Sequence, residues 1–113
     1  MNDFPFYQHF AVKLTFPKDL IIDENFVEKT ANLLIEGLKL TVVGQGKHQF
    51  PNRGLTKFWI LSQSHLIIHS WPELGALHLD LMTCNSTIIT AETVKNHLSP
   101  LSIDNISISK LEY

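Results

Sequence analysis

The feature that most constrains the fold is a strict alternation of side chains near the start of the sequence. At even positions from 10 to 16 the residues are large and apolar: Phe10, Val12, Leu14 and Phe16. The positions between them hold smaller or polar residues. Successive side chains of a strand point to opposite faces, so this pattern predicts a strand with one buried face and one open face. The chain must therefore build a sheet and also supply the layer that covers it.

Two segments predict helices that can form this layer. Asp23 is placed to cap a helix over residues 24–38, and the helix carries an apolar stripe formed by Val27, Ala31, Leu34 and Leu38. A second helix is predicted over residues 90–98, closed by Pro100. Further strands are predicted over residues 40–43, 56–61, 65–71, 77–83 and 103–109, with loops at 44–46 and 51–54.

This order of elements predicts an α+β fold, a two-layer sandwich of a mainly antiparallel sheet with two helices on one face. The other face stays uncovered, which favours a homodimer formed through or beside the sheet. The 113 residues suit one domain over residues 1–113.

Composition excludes several partners. The net charge is -2 and no block of Lys or Arg stands out, so we expect neither nucleic acid nor an anionic membrane as a partner. No apolar run approaches the ~20 residues needed to span a bilayer. The first ten residues lack the features of a secretory signal, so we expect a cytoplasmic protein.

Reactive side chains are concentrated between residues 63 and 84. They are Ser64, His65, His69, Glu73, His78, Asp80 and the single cysteine, Cys84. A metal site built from His65, His69, His78 and Asp80 matches no standard zinc spacing, so no metal is expected. A hydrolase with Ser64 or Cys84 as nucleophile and His69 as base lacks the G-x-S-x-G turn. A lone cysteine is also often a small buried hydrophobe.

A third interpretation comes from resemblance. Residues 63–73 read Q-S-H-L-I-I-H-S-W-P-E and are followed by Gly75, Asp80 and Thr83-Cys84. This segment resembles the processing region of bacterial and archaeal S-adenosylmethionine decarboxylases, whose pattern is roughly E-S-H-x-x-I-H-T-W-P-E. Upstream, Gly54-Leu55-Thr56 and His48-Gln49-Phe50 resemble two further steps of the family pattern. Gln63 stands where the family has Glu, and Thr56 stands where Ser is common.

The resemblance implies a role for each matching residue. Ser64 would be the precursor of a pyruvoyl group, with Thr56, Gln63 and His69 assisting self-processing. Cys84 would be the catalytic proton donor, and Glu73 would bind the ribose of a small-molecule substrate. Phe50 is a candidate for stacking on adenine. Cleavage before Ser64 would leave a β chain of residues 1–63 and an α chain of residues 64–113.

The chemistry explains why such a group is useful. A decarboxylase must stabilise a carbanion, and a ketone is a better electron sink than an ordinary side chain. Two alternatives stay open at the level of sequence. One is an uncleaved, non-catalytic homologue acting as a structural or regulatory partner, which Gln63 favours. The other is a pyruvoyl decarboxylase of another amino acid, such as arginine or ornithine.

Overall fold

A computed structural model describes residues 6–84 and 87–112 of the chain. The elements, in chain order, are β1 (Gln8–Thr15), α1 (Glu24–Gly37), β2 (Val42–Gln49), β3 (Leu55–Leu61), β4 (Ser64–Trp71), β5 (Ala76–Thr83), α2 (Ala91–His97) and β6 (Asn105–Leu111). A short 3-10 turn, Pro72–Leu74, joins β4 to β5. Among the described residues, no helix is both long and apolar enough to cross a membrane.

The six strands form one sheet in the order β2-β3-β4-β5-β1-β6, and every neighbouring pair is antiparallel. The first strand in the sequence is therefore inserted between β5 and β6. Buried residues of both helices join the strand residues in one apolar core. This arrangement confirms the predicted two-layer α+β fold with one open sheet face.

The alternation that predicted β1 is confirmed by its burial. Phe10, Val12 and Leu14 are completely buried against the helices, and Phe16, just beyond the strand, is buried as well. Lys13, on the opposite face, is exposed. The alternating pattern therefore identifies both the strand and the face that the helices cover.

The predicted helices are also confirmed, and their caps explain where they begin. The Asp23 side chain accepts a hydrogen bond from the backbone N–H of Phe26 at 3.0 Å. The Thr90 hydroxyl accepts one from the N–H of Thr93 at 3.1 Å. In α1 the buried stripe contains Val27, Ala31 and Leu34, while Leu38 caps its C-terminal end and is half-buried.

The predicted loop at residues 44–46 is wrong. These residues lie inside β2, which continues to Gln49 and pairs with β3 along the edge of the sheet. Gly46 is paired with Phe58, and the Phe58 ring occupies the space that a Cβ atom at Gly46 would need. Glycine within a strand often marks such a close approach, so here it signals packing across the ladder and not a loop.

Candidate active site

One row of polar side chains crosses the open face of the sheet. Thr56 on β3 is paired with His69 on β4, and His69 is paired with His78 on β5. Directly opposed side chains on one face of a sheet are in contact range, so the strand register alone brings these three residues together.

Within this row, Thr56 and His69 are hydrogen-bonded, with Thr56 Oγ1 at 2.8 Å from His69 Nδ1. The rings of His69 and His78 stack with their centroids 6.0 Å apart. Burial lowers the pKa of His69, positive charge on His78 lowers it further, and Asp80 acts in the opposite direction. His69 is therefore held in its neutral form, which can accept a proton.

A cleft of about 380 Å³ opens beside this row. It is lined by Phe50, Pro51, Asn52, Gly54, Leu55, Thr56, His69, Ser70 and Trp71. Phe50 and Trp71 are 43% and 40% exposed, so both present aromatic surface to a ligand. Trp71 is not among the residues predicted for the site. It is two residues after His69 on β4, so both side chains lie on the same face of the sheet. We call Phe50, Thr56, His69 and Trp71 the cleft group.

A second group of predicted residues surrounds the tight turn between β3 and β4. Only Ser62 and Gln63 separate these strands. Gln63 has φ of 67°, in the left-handed region that a residue with a side chain adopts at a cost. The next residue, Ser64, is half-buried and begins β4. The peptide bond between Gln63 and Ser64 therefore follows directly on a strained residue.

Cys84 reaches the same turn from β5. Its thiol donates to Gln63 Oε1 at a distance of 3.4 Å from Sγ. The register explains the contact, because His65 is paired with Met82 and the end of β5 consequently lies beside the start of β4. We call Gln63, Ser64 and Cys84 the turn group.

Within one chain the two groups stay apart. Ser64 and His69 are five residues apart on β4, a distance of about 16 Å at the usual rise of a strand. Alternation also assigns them to opposite faces of the sheet. Glu73 lies in the 3-10 turn after β4 and is exposed, outside the residues that line the cleft.

The fold matches that of a solved decarboxylase. The structure superimposes on the crystal structure of the adenosylmethionine decarboxylase from Aquifex aeolicus VF5 with a TM-score of 0.77, over 96% of this chain and 90% of that one. The two sequences are 23% identical, so this likeness defines the class of fold. The open six-stranded sheet is thus an adenosylmethionine decarboxylase fold.

Sequence comparison identifies the family. The profile of the S-adenosylmethionine decarboxylase family matches residues 8–112. An S-adenosylmethionine decarboxylase proenzyme from Methanococcus vannielii is 31% identical over 96 residues, which cover 82% of this chain and 79% of the relative. A proenzyme from Archaeoglobus fulgidus is 36% identical over 70 residues, 62% of each chain. The chain belongs to the S-adenosylmethionine decarboxylase family, as the motif at residues 63–84 predicted.

Proposed function

We propose that the chain is a cytoplasmic, self-processing, pyruvoyl-dependent decarboxylase that acts on S-adenosylmethionine and supplies the aminopropyl donor for spermidine synthesis. Family membership supports the reaction class, and relatives named proenzymes support processing. The observation that carries the proposal is the turn group, in which strained Gln63 precedes Ser64 and contacts the thiol of Cys84.

Self-processing uses atoms of the turn itself. The Ser64 hydroxyl oxygen attacks the carbonyl carbon of Gln63 and replaces the Ser64 nitrogen, giving an ester with a free amine. Loss of the Ser64 α-proton then breaks the ester bond, leaving a carboxylate on Gln63 and dehydroalanine at position 64. Addition of water and loss of ammonia convert that residue into the pyruvoyl group. The bonds that form and break at residue 63 are those of its backbone carbonyl, so the step does not require the Glu side chain usual in the family.

The residues around Ser64 fit a pyruvoyl group at this position. Ser64 begins a strand next to a two-residue turn, so cleavage before it cuts the connection between two strands and interrupts neither. The pyruvoyl ketone supplies the electron sink that decarboxylation needs. Cys84 holds its proton on Sγ beside the turn, where it is available for the substrate α-carbon once carbon dioxide has left.

The separation of the two groups supports a homodimer that shares its sites. The cleft group and Ser64 lie toward opposite ends of β4. A twofold axis near the middle of β4 would bring the cleft group of one copy to the end of the sheet that holds the turn group of the other. Ser64 points away from the open face, so the partner's residues would reach it around the turn. The open face also exposes apolar side chains, with Phe58 38% and Ile60 49% accessible, and pairing two sheets would cover them. In this arrangement His69 and Thr56 of one copy assist processing at Ser64 of its partner.

The cleft group is where we place the adenosine part of the substrate. Phe50 and Trp71 offer aromatic faces for adenine. We assign the ribose hydroxyls to Glu73, since a carboxylate accepts hydrogen bonds from both groups of a diol. Its exposed position in the turn after β4 leaves it accessible to a substrate held between two sheets.

Denaturing mass spectrometry tests processing directly. We expect the purified protein to separate into chains of residues 1–63 and 64–113, with a carbonyl-reactive N-terminus on the second. Ser64→Ala should remain one chain, because it lacks the attacking hydroxyl. An intact wild-type chain after prolonged incubation would support the uncleaved homologue, and a cut Ser64→Ala chain would refute the assignment of Ser64.

Mixing two inactive variants tests the shared site. His69→Ala should accumulate uncut, and Ser64→Ala cannot be cut. If the partner supplies His69, co-expression should restore cleavage of the His69→Ala chain, because its Ser64 then faces an intact His69 of the partner. Continued absence of cleavage in demonstrated heterodimers would show that each chain processes itself.

The role of Cys84 is tested by separating cleavage from turnover. Cys84→Ala should still be cut but should release carbon dioxide from S-adenosylmethionine about 10²–10⁴-fold more slowly, the usual cost of losing a placed proton donor. Turnover near the parent rate would make Cys84 an ordinary half-buried thiol. A cut protein that is inactive on S-adenosylmethionine and active on arginine or ornithine would overturn the substrate and retain the mechanism.

A further inference from the structure

A second polar cluster lies on the open face, away from Thr56. His9 on β1 and His65 on β4 both pair with Met82, which lies on the strand between them. Asp80 is two residues before Met82 on β5 and therefore shares its face. Three strands thus bring His9, His65 and Asp80 together, and neither the cleft group nor the turn group includes them.

The three side chains converge on a small volume. Asp80 Oδ1 lies 2.5 Å from His9 Nε2 and 3.6 Å from His65 Nε2. One nitrogen or oxygen atom from each residue falls within 4.8 Å of those of the other two. The side chain of His9 is 16% exposed, and those of His65 and Asp80 are each 34% exposed. The cluster is thus shielded but open on one side.

One atom of the cluster lacks a partner. Nε2 of His65 is buried and, among the described residues, receives or makes no hydrogen bond. Its separation of 3.6 Å from Asp80 is too long for one. Buried polar atoms almost always have a hydrogen-bond partner or a ligand. A buried imidazole nitrogen that faces a carboxylate without bonding to it therefore indicates a ligand between the two groups.

The geometry and chemistry of the cluster suit a divalent metal of intermediate softness. Two imidazoles and one carboxylate are common zinc ligands, whereas calcium and magnesium prefer oxygen alone. Tetrahedral zinc with bonds of 2.0–2.1 Å holds its ligand atoms about 3.3 Å apart. The His65–Asp80 separation is already close to this value. The shorter His9–Asp80 contact must lengthen by about 0.8 Å, which rotation of two partly exposed side chains can provide.

We propose that His9, His65 and Asp80 bind a zinc ion on the open face of the sheet. Three protein ligands leave the fourth position for water or another ligand. This set differs from the four residues weighed in the sequence, because it omits His69 and His78 and includes His9 from a distant segment. The site links β1, which precedes the Gln63–Ser64 bond, to β4 and β5, which follow it.

Titration of the purified, chelator-treated full chain tests the site. Isothermal titration with zinc chloride should show one site per chain, and cobalt(II) should give the visible absorption bands of a tetrahedral complex. His65→Ala and Asp80→Asn should each weaken zinc binding at least 100-fold. His48→Ala, which removes an exposed histidine from the edge strand β2, should bind zinc as the parent does.

A variant that gains a spectroscopic signal separates loss of a metal ligand from misfolding. In His65→Cys a thiolate replaces the imidazole, so zinc should still bind and cobalt(II) should acquire an additional sulfur-to-metal charge-transfer band. Zinc should also raise the thermal midpoint of the parent and of His65→Cys but not that of His65→Ala. Weak binding that is equal in all variants would be surface histidine binding only and would overturn the proposal. Absence of the charge-transfer band in a folded His65→Cys protein would do the same.

Discussion

The two faces of the sheet differ in the burial and the polarity of their side chains. The face under the helices is filled by fully buried side chains, among them Leu66 and Ile68 of β4. The open face displays histidines, a carboxylate and accessible apolar residues such as Ile60 on the same sheet. The apolar core is therefore built from one face of the sheet, and the residues of the other face are not needed to fill it.

Charges at the border between the two layers reinforce this division. Lys57, on β3, contacts Glu28 at 2.5 Å and Glu24 at 3.2 Å, and Lys47, on β2, contacts Glu24 at 2.7 Å. The pKa of Lys57 is raised chiefly by its hydrogen bond to Glu28. These pairs attach α1 to the edge of the sheet. The open face has no such covering layer among the described residues, so its polar groups stay partly accessible.

The largest expected effect comes from breaking the helix-covered face. Ile68 is completely buried, so Ile68→Ala should reduce the free energy of unfolding by about 2–5 kcal/mol. Its neighbour Ile67 points to the open face, and Ile67→Ala should cost less than about 1 kcal/mol. Urea unfolding at low protein concentration, with Ser64→Ala in both proteins to keep the chains uncut, measures the difference. Equal losses would show that the open face contributes as much to folding stability as the core does.

A charge on the open face should instead affect association. Ile60→Lys places an ammonium group within the proposed dimer contact and should weaken self-association at least tenfold, since burying an unpaired charge is costly. Sedimentation equilibrium gives the dissociation constant. Ile21→Lys, in the β1–α1 loop, starts from a residue 74% exposed and serves as the matched control. If both variants dimerise as the parent does, the copies associate elsewhere.

A smaller effect is expected at the turn between β3 and β4. Gln63→Gly removes the cost of a left-handed side-chain residue and should stabilise the uncut Ser64→Ala chain by up to about 1 kcal/mol. Ser62→Gly, at a turn residue without this conformation, should destabilise it slightly. If strain assists cleavage, Gln63→Gly with Ser64 intact should also be cut more slowly. Faster cutting would show that conformational strain is not used.

Replacing the Gln63 side chain gives a related test of the family difference. Gln63→Glu should be cut at an equal or higher rate, because it restores the residue usual in the family. A time course of cleavage, followed by denaturing mass spectrometry, measures this rate for the variant and the parent. Slower cutting would show that Gln63 is adapted to this site.

The smallest effect concerns proton affinity on the open face. His78→Ala should raise the pKa of His69, because it removes both a nearby positive charge and part of the burial that lower it. Burial and His78 hold this pKa below 6.5, so the folded chain binds fewer protons than the unfolded one and loses stability as pH falls below about 6.5. His78→Ala should lose less folding stability than the parent over the same fall in pH. NMR titration measures the pKa, with His97→Ala as control, and an unchanged value would contradict the electrostatic account.

Local signals in the sequence were enough for most elements of the fold. β1 follows from alternation and α1 from a cap followed by an apolar stripe, both of which are encoded by neighbouring residues. The glycines of β2 mislead, because the reason for Gly46 is the Phe58 ring across the ladder. The position of β1 between β5 and β6 is likewise set by pairing between distant segments, which chain order does not reveal.

In the candidate site, too, some contacts were predictable from the sequence motif and others depend on how distant strands pair. The motif identified Thr56 and His69, which are hydrogen-bonded, and Gln63 and Cys84, which are in contact. It did not indicate that Ser64 and His69, close in the sequence, are separated by the rise of a strand. The meeting of His9 with Asp80 was also beyond local patterns, because it depends on β1 lying beside β5.

If the proposed cleavage before Ser64 takes place, the order of the strands determines how the two fragments are held. The segment before Ser64 supplies β2, β3 and β1, and the segment after it supplies β4, β5 and β6, so the order β2-β3-β4-β5-β1-β6 interleaves the two fragments. Separation would break three ladders, those between β3 and β4, β5 and β1, and β1 and β6. The cleaved molecule would therefore stay assembled through these backbone hydrogen bonds, as two fragments of a split protein do. Once it is denatured, however, its refolding becomes a bimolecular reaction whose rate depends on concentration.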